Sequence, residues 1–148
     1  ALSRVLFSQQ KYNESIDQLN KILKIDEKYI KAYELLSDIY INLNNLIEAK
    51  KSCETGINQN SKSYGLYARL SAINNDQEQY DKAIDNANLA LSIKKRYGPA
   101  LIELGRANVY LCNMVAAADA FKTAKFYDRR QVTQLQDWAK EHLKSVCK

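Results

Sequence analysis

The chain has 148 residues, of which 46% are hydrophobic and 26% are charged, and its formal net charge is +5. This length suits one domain with a real core, and the four glycines and single proline argue against a disordered, collagen-like or many-turned β protein. No apolar run approaches the roughly 20 residues of a membrane-spanning helix, so composition favours a helical protein without a membrane span.

The sequence repeats itself with a period of 34 residues, without any insertion or deletion. One column of equivalent positions holds Leu2, Leu36, Leu70, Leu104 and Trp138, and the next residue is small each time: Ser3, Ser37, Ser71, Gly105 and Ala139. Two further columns of mostly small residues hold Ser15, Ala49, Ala83 and Ala117, and Ile22, Gly56, Ala90 and Ala124. Such self-similarity indicates a repeat architecture, in which each unit buries its apolar face against its neighbours.

Each full unit is predicted to form two helices joined by a short polar turn. In residues 30–63 a stripe at helical spacing comes first, and it consists of Tyr33, Leu36, Ser37, Tyr40 and Leu43. The polar pair Asn44-Asn45 then interrupts the pattern, and a second apolar face begins at Leu46. Small residues at the facing positions let the paired helices approach closely.

The register divides the chain into a partial repeat at 1–29, three full repeats at 30–63, 64–97 and 98–131, and a final helix at 132–148. Leu2 already lies in mid-helix register, so we expect residue 1 to fall inside a first helix and the chain to continue a longer array. The final helix carries one apolar stripe, formed by Val132, Leu135, Ala139, Leu143 and Val146. We expect it to cap the last repeat and to bury Trp138.

A 34-residue unit with Tyr or Leu, Leu followed by a small residue, Tyr, and Ala in these columns resembles the tetratricopeptide repeat. The resemblance covers essentially the whole chain and implies an all-α, right-handed superhelix in one solenoid domain with a C-terminal capping helix. Two features depart from the family pattern. The proline that usually closes a unit is replaced at Glu27, Ser61, Lys95 and Arg129, and Asn74 and Asn108 stand where Tyr is expected.

The resemblance further implies that the first helices of successive units line a concave groove that binds a peptide segment or helix of a partner protein. Positions off the core stripe give the candidate groove: Arg4, Glu34, Asp38, Ile41, Ala68, Arg69, Ala72, Asn75, Ile102, Arg106 and Val109. Ile41 and the patch of Ile102 and Val109 are expected to supply apolar contacts, and the charged residues to orient the ligand. The alternative, that the short residues only tighten the superhelix, stays open.

Some family members clamp a C-terminal carboxylate with Lys, Asn and Arg residues. Here Arg4, Leu35 and Gly65 occupy positions of that set and only Arg69 agrees with it, so we expect no such clamp. Asn74 and Asn108 either contact a bound peptide or satisfy each other or a neighbouring turn.

A second candidate surface is a basic ridge at the ends of the second helices, formed by Lys62, Lys94, Lys95, Arg96, Arg129 and Arg130. Cations there complement the helix macrodipole, which accounts for them without a ligand. The alternative is an acidic partner, a phosphate backbone or a membrane surface. Nucleic acid is the least favoured of these, because a dense patch with stacking aromatic residues is missing.

No catalytic, cofactor or metal site is predicted. The only histidine is His142 in the capping helix, and no nucleophile pairs with a base. Cys53, Cys112 and Cys147 are far apart, so we expect buried or incidental thiols and slightly favour a reducing compartment such as the cytoplasm, although an upstream targeting segment could have been removed.

The sequence therefore predicts a non-catalytic protein-interaction module or scaffold. Two alternatives remain: a scaffold that assembles with copies of itself, and a regulatory repeat domain of a larger enzyme.

Overall fold

The computed structural model describes the backbone of residues 2–147 and the side chains of residues 9–147. Within these residues the chain is all-α, as predicted, and its backbone forms eight helices without any strand. The helices are α1 (Leu2–Ile25), α2 (Ile30–Asn42), α3 (Leu46–Gln59), α4 (Tyr64–Asp76), α5 (Tyr80–Ile93), α6 (Gly98–Tyr110), α7 (Met114–Ala124) and α8 (Arg129–Val146). In each full repeat the first helix is α2, α4 or α6 and the second is α3, α5 or α7.

Two compact units divide the chain, Ala1–Leu66 and Tyr67–Lys148. In the first unit α2 packs against both α1 and α3, around a core that includes Leu19, Ala32 and Leu36. In the second unit α6 packs against α5 and α7, and α8 packs against both α6 and α7. Phe121 and Val132 are among the fully buried residues of that second core.

The turn inside each full repeat has the same left-handed residue, at positions that are one period apart. Asn44, Glu78 and Cys112 have φ values of 56°, 59° and 58°. In each case the following N–H donates to the carbonyl oxygen five residues earlier, at 2.8 Å. This is the long hydrogen bond of a Schellman-type helix end, which reverses the chain within a few residues.

Small residues bring the two helices of a repeat into direct contact. In α4 the Ser71 hydroxyl donates to the backbone carbonyl of Ala83 in α5, with 2.7 Å between the oxygens. In the preceding repeat the Ser37 hydroxyl lies 3.1 Å from the Cys53 sulfur. All four residues are fully buried, so a larger side chain in either helix would separate the pair.

In the third full repeat the two helices also approach closely, but there a glycine in the first helix faces a large residue in the second. Gly105 in α6 faces the Phe121 ring of α7, and a Cβ atom at Gly105 would lie less than 3.0 Å from that ring. Gly105 stands in the column of Ser37 and Ser71. Glycine is required there because the facing residue is a phenylalanine.

The partial repeat at 1–29 does not form a helix pair, and its structure differs from that of the full repeats. α1 is a single helix of 24 residues that passes without a break through Gln10, the position equivalent to the left-handed turn residues. In the next repeat Asn45 caps α3, because its side-chain oxygen accepts a hydrogen bond from the Glu48 N–H at 3.3 Å. The equivalent residue in α1 is Lys11, which cannot cap a helix and favours its continuation.

The final helix begins earlier than predicted. Asp128 caps it, since its carboxylate accepts a hydrogen bond from the Gln131 N–H at 2.9 Å, and α8 therefore starts at Arg129. Val132 and Ala139 of the predicted stripe are buried in the core that α8 shares with α6 and α7, whereas Val146 is 60% exposed. Trp138 is half-buried and contacts Tyr110 edge-on, with 5.5 Å between the ring centroids.

A disulfide joins Cys112, in the turn between α6 and α7, to Cys147 at the end of α8, with 5.6 Å between the Cα atoms. The prediction that all three cysteines are buried or incidental thiols is therefore wrong for these two, and only Cys53 is a buried free thiol. The slight preference for a reducing compartment rested on the cysteines being free thiols. The disulfide removes that argument, because disulfides persist where the environment is oxidising.

Replacing Gly105 by Ala is expected to lower the free energy of unfolding by about 1–2 kcal/mol, because the strain of overpacking exceeds the better helix propensity of alanine. In a Phe121→Leu background the same replacement should be nearly neutral, since the ring that the new methyl group meets is gone. Urea unfolding of the four proteins in this double-mutant cycle measures the coupling. If Gly105→Ala lowers the free energy of unfolding equally in both backgrounds, the contact with the Phe121 ring does not limit how closely α6 and α7 approach.

We expect the protein, denatured without reductant, to show one reactive thiol, and to show three after reduction. Reduction should lower the free energy of unfolding by about 2–4 kcal/mol, because the disulfide closes a loop of 35 residues. Thiol titration and urea unfolding measure the two effects. The Cys112→Ser/Cys147→Ser variant is the control and should not respond to reductant. Three reactive thiols before reduction would rule out the bond.

Candidate functional site

The predicted groove residues of the first unit lie on α2 and are only partly exposed. Glu34, Asp38 and Ile41 are half-buried. The Lys31 ammonium lies 2.9 Å from a Glu34 carboxylate oxygen, so this face of α2 carries an ion pair one turn from Asp38. Arg4 lies outside the residues whose side chains the structure describes.

The predicted groove residues of the second unit lie on α4 and α6, and several of them are buried. Ala68 and Asn75 are each 4% exposed, whereas Arg69 and Ala72 are half-buried. Ile102 and Val109 belong to the core that α6 shares with α7 and α8. The expectation that these two residues form an open apolar patch is therefore wrong, because the capping helix packs against α6 and closes it over.

A polar cluster joins the ends of α4 and α6 in the second unit. The Asn75 amide donates to a carboxylate oxygen of Glu103 at 2.9 Å and to its backbone carbonyl at 3.0 Å. The Arg106 guanidinium donates to both carboxylate oxygens of Glu103, at 3.2 and 2.9 Å, and to Asp76 at 3.3 Å. The sequence analysis named Asn75 and Arg106 as candidates and missed the two acids. The three-residue spacing of Glu103 and Arg106 on one helix was the available signal.

Burial governs the charges in this cluster. It raises the pKa of Glu103 above its ordinary value of 4.5, although Arg106 and the Asn75 amide both act to lower it. Burial alone would lower the pKa of Arg106, but Glu103 and Asp76 outweigh it and raise that pKa, so the guanidinium stays charged. The Asn75 side-chain oxygen is buried and has no hydrogen-bond partner among the described residues. The cluster is therefore held rigidly with one polar atom unsatisfied.

An aromatic group lies between α5, α6 and α8. Tyr80 and Tyr110 stack with 4.6 Å between their ring centroids, and His142 meets Tyr110 edge-on at 5.1 Å. Trp138 lies 5.6 Å from the His142 ring. His142 is thus a half-buried packing residue of the capping helix, as the sequence predicted, and its ring neighbours are aromatic.

The buried asparagine Asn108 is satisfied within its own repeat. Its amide donates to the Leu104 carbonyl at 2.8 Å, and its side-chain oxygen accepts from the Asn113 amide at 3.2 Å. The sequence left open whether Asn108 contacts a bound peptide or a neighbouring turn. In the structure it hydrogen-bonds the turn between α6 and α7. Asn74 is buried as well, at 3% exposure.

The residues of the predicted basic ridge do not all lie at the ends of second helices. Lys94 caps the C-terminal end of α5, but Arg129 and Arg130 form the first turn of α8, whose N-terminus is disfavoured for cations. Placing those two arginines at the end of a second helix is therefore wrong. The Arg96 guanidinium lies over the Phe126 ring, 4.4 Å from its centroid, so this charge is partly occupied by packing within the unit.

Two classes of site receive no support in the part of the chain that the structure describes. No group of three or more His, Cys, Asp or Glu side chains there is arranged to hold a metal ion. None of the described helices is both long enough and apolar enough to cross a lipid bilayer.

Helix pairs at a fixed period, reversed by one recurring turn and closed by a terminal helix, define a helical-repeat protein. Residues 30–63 match the family model of the tetratricopeptide repeat, with the same bounds as the first full repeat of the sequence analysis. These residues therefore form one tetratricopeptide repeat, a unit that is found in general in protein-interaction or scaffold modules.

Solved structures show the same fold. A crystal structure of MamA matches with a TM-score of 0.70 at 18% identity, covering 93% of this chain and 87% of the other. A second MamA structure matches with a TM-score of 0.69 at 18% identity, covering 93% and 81%. No curated protein sequence matches the chain at a significant level. The likeness to these structures establishes an all-α superhelical repeat fold.

The raised pKa of Glu103 predicts a pH effect on stability. Between pH 4.5 and the raised pKa the folded state binds more protons than the unfolded state, so the free energy of unfolding falls as the pH rises through that window. The Glu103→Gln variant lacks this contribution, and its stability should decline less over the same range. Urea unfolding from pH 4 to pH 8 gives the comparison. Glu141→Gln, at an exposed position of α8, is the control and should follow the wild type.

Proposed function

We propose that the chain is a non-catalytic interaction module that binds a peptide segment or helix of a partner protein along the first helices of its repeats. The observation that carries the proposal is the tetratricopeptide repeat itself, matched at 30–63 and continued in register by two further helix pairs. In such solenoids the first helices line the concave surface, and the second helices lie outside.

The polar cluster of the second unit supports a role for α4 and α6. Arg106 is 27% exposed and Asp76 is 42% exposed, so both reach solvent from a cluster in which Asn75 is buried and the Glu103 side chain is 14% exposed. Two carboxylates fix the guanidinium in place, and a pre-oriented side chain loses little conformational freedom when it binds. An exposed Arg and Asp side by side suit the paired donors and acceptors of a peptide backbone or a charged side chain.

The small side chain of Ala72 leaves room for a ligand beside the polar cluster of the second unit. Ala72 lies on α4 one turn before the cluster and is half-buried. On α2 of the first unit, Ile41 offers partly exposed apolar area beside the acids Glu34 and Asp38. Affinity would come from apolar contacts of this kind, and the charged residues would fix the register.

The proposal predicts that this protein selects related sequences from a diverse displayed-peptide library. Replacing Ala72 by Glu should abolish that selection, because a buried carboxylate would meet the ligand at the centre of the face. Ala116→Glu, at an exposed position of the second helix α7, introduces the same charge and should select the same peptides as the wild type. Circular dichroism confirms that both variants are folded.

Either of two results would contradict the groove. The first is that no motif is enriched, and the second is that a folded Ala72→Glu variant selects the same motif as the wild type. An Arg106→Gln variant adds a graded test, since it keeps a hydrogen-bond donor but loses the charge. Its affinity for the selected peptide should fall about tenfold, as expected for one charge-assisted contact.

A further inference from the structure

The first unit contains a groove between α1 and α2. Its volume is about 780 Å³, and its lining includes Glu14, Ser15, Gln18, Leu19, Leu35 and Ile39. Leu35 is 40% exposed, whereas the equivalent residues of the later repeats are the charged Arg69 and Glu103. An apolar residue thus faces the groove at a position that is otherwise charged.

Exposure along the small columns shows that a packing partner is missing from this groove. Ser15 is exposed, while the residues in its column are buried, with exposed fractions of 0% for Ala49, 0% for Ala83 and 3% for Ala117. The next small column behaves in the same way. Ile22 is 40% exposed, and its equivalents Ala90 and Ala124 are at 0%. The second-helix part of α1 therefore has the face of a repeat whose first helix is not packed on it.

In the full repeats that face is covered by the first helix of the same repeat. The contact between Ser71 and Ala83 marks the place, with 2.7 Å between the hydroxyl and the carbonyl oxygen. The equivalent positions in α1 are Ser3 and Ser15. Because they are twelve residues apart in one uninterrupted helix, about 18 Å of helix axis separates them. The first-helix segment of α1 therefore cannot cover its own second-helix segment.

The sequence of that segment is nevertheless a first-helix sequence. Residues 2–7 read LSRVLF, and the equivalent stretches of the full repeats read LSDIYI at 36–41, LSAINN at 70–75 and LGRANV at 104–109. The Leu-small pair and the following apolar positions are those that pack onto a second helix in the later repeats. Each molecule thus carries both a vacant groove and a segment with the sequence to fill it.

We propose that the groove takes residues 2–9 of a second copy of this chain, so that two molecules exchange the ends of α1 in a symmetric dimer. The two α1 helices would run antiparallel, as the two helices of a repeat do. Ser3 of each copy would then face Ser15 of the other, which places the two-fold axis close to Gln9. One antiparallel contact fills both grooves at once, as an isologous dimer requires.

The straight helix makes exchange the favoured arrangement. A chain that folded back on itself would need a left-handed turn at Gln10, whereas α1 passes through that position as one helix. The exchanged dimer needs no turn at all. This surface is separate from the α4 and α6 cluster, so its test does not depend on peptide binding.

Light scattering coupled to size-exclusion chromatography should give the mass of a dimer for the full 148-residue chain at micromolar concentration. Ser15→Arg should weaken the dimer at least about tenfold, because a charge is placed where a helix must pack. Asn13→Arg lies on the same helix outside the groove and should leave the dimer unchanged. A monomer at all concentrations, or a Ser15→Arg variant that dimerises as well as the wild type, would overturn the proposal.

Cross-linking identifies the segment that occupies the groove. In a background with the native cysteines replaced by serine, a Ser3→Cys chain mixed with a Ser15→Cys chain should give a covalent heterodimer with a short bismaleimide. The double variant Ser3→Cys/Ser15→Cys should also give covalent dimer. An intrachain cross-link in monomer of that double variant would mean that the segment folds back on its own groove, and the exchange would then be wrong. Circular dichroism of the serine background establishes that it is folded.

Discussion

Direct contact between the two helices of each repeat is the constraint on which the other features of this protein depend. The helices can approach only where facing residues are small, as at Ser71 and Ala83, or where a glycine makes room for a large ring, as at Gly105 and Phe121. Because the interior has no spare volume, the size of one residue dictates the size of its partner.

That close approach requires a tight turn, and the turn has its own cost. Asn44, Glu78 and Cys112 adopt left-handed backbone conformations that non-glycine residues rarely occupy. The contacts between the paired helices offset that cost in the three full repeats. Asn45 also caps the helix that follows, whereas Gln79 and Asn113 make no side-chain cap hydrogen bond. Where Gln10 and Lys11 stand at these positions, the chain continues as one helix. The straight α1 and its open groove thus follow from the same energetics that fold the complete repeats.

The sequence was sufficient for the features that depend on contacts within one repeat: the period, the helix pairs, and the inward stripe of α8. It was insufficient for residues whose burial or hydrogen bonds depend on a helix outside their own repeat or on another repeat. Ile102 and Val109 lie off the repeat stripe but are buried by α8, which no column reveals. Arg106 was identified as a site residue, whereas Glu103, whose pKa is raised by burial, accepts a hydrogen bond from Asn75 in another helix. The disulfide had a signal, since a separation of 35 residues is close to one period, and positions one period apart are neighbours in stacked repeats.

The inward faces of α1 and α8 are covered to different extents. A solenoid must cover the apolar face of its last repeat, and α8 does so with Val132 and Ala139, fastened by a disulfide at its far end. At α1 the equivalent face is left open, with Ser15 exposed and Ile22 40% exposed. Apolar area of this kind persists on a protein surface where another element packs against it. α8 therefore stabilises the third full repeat, whereas the second-helix face of α1 has room for another helix to pack.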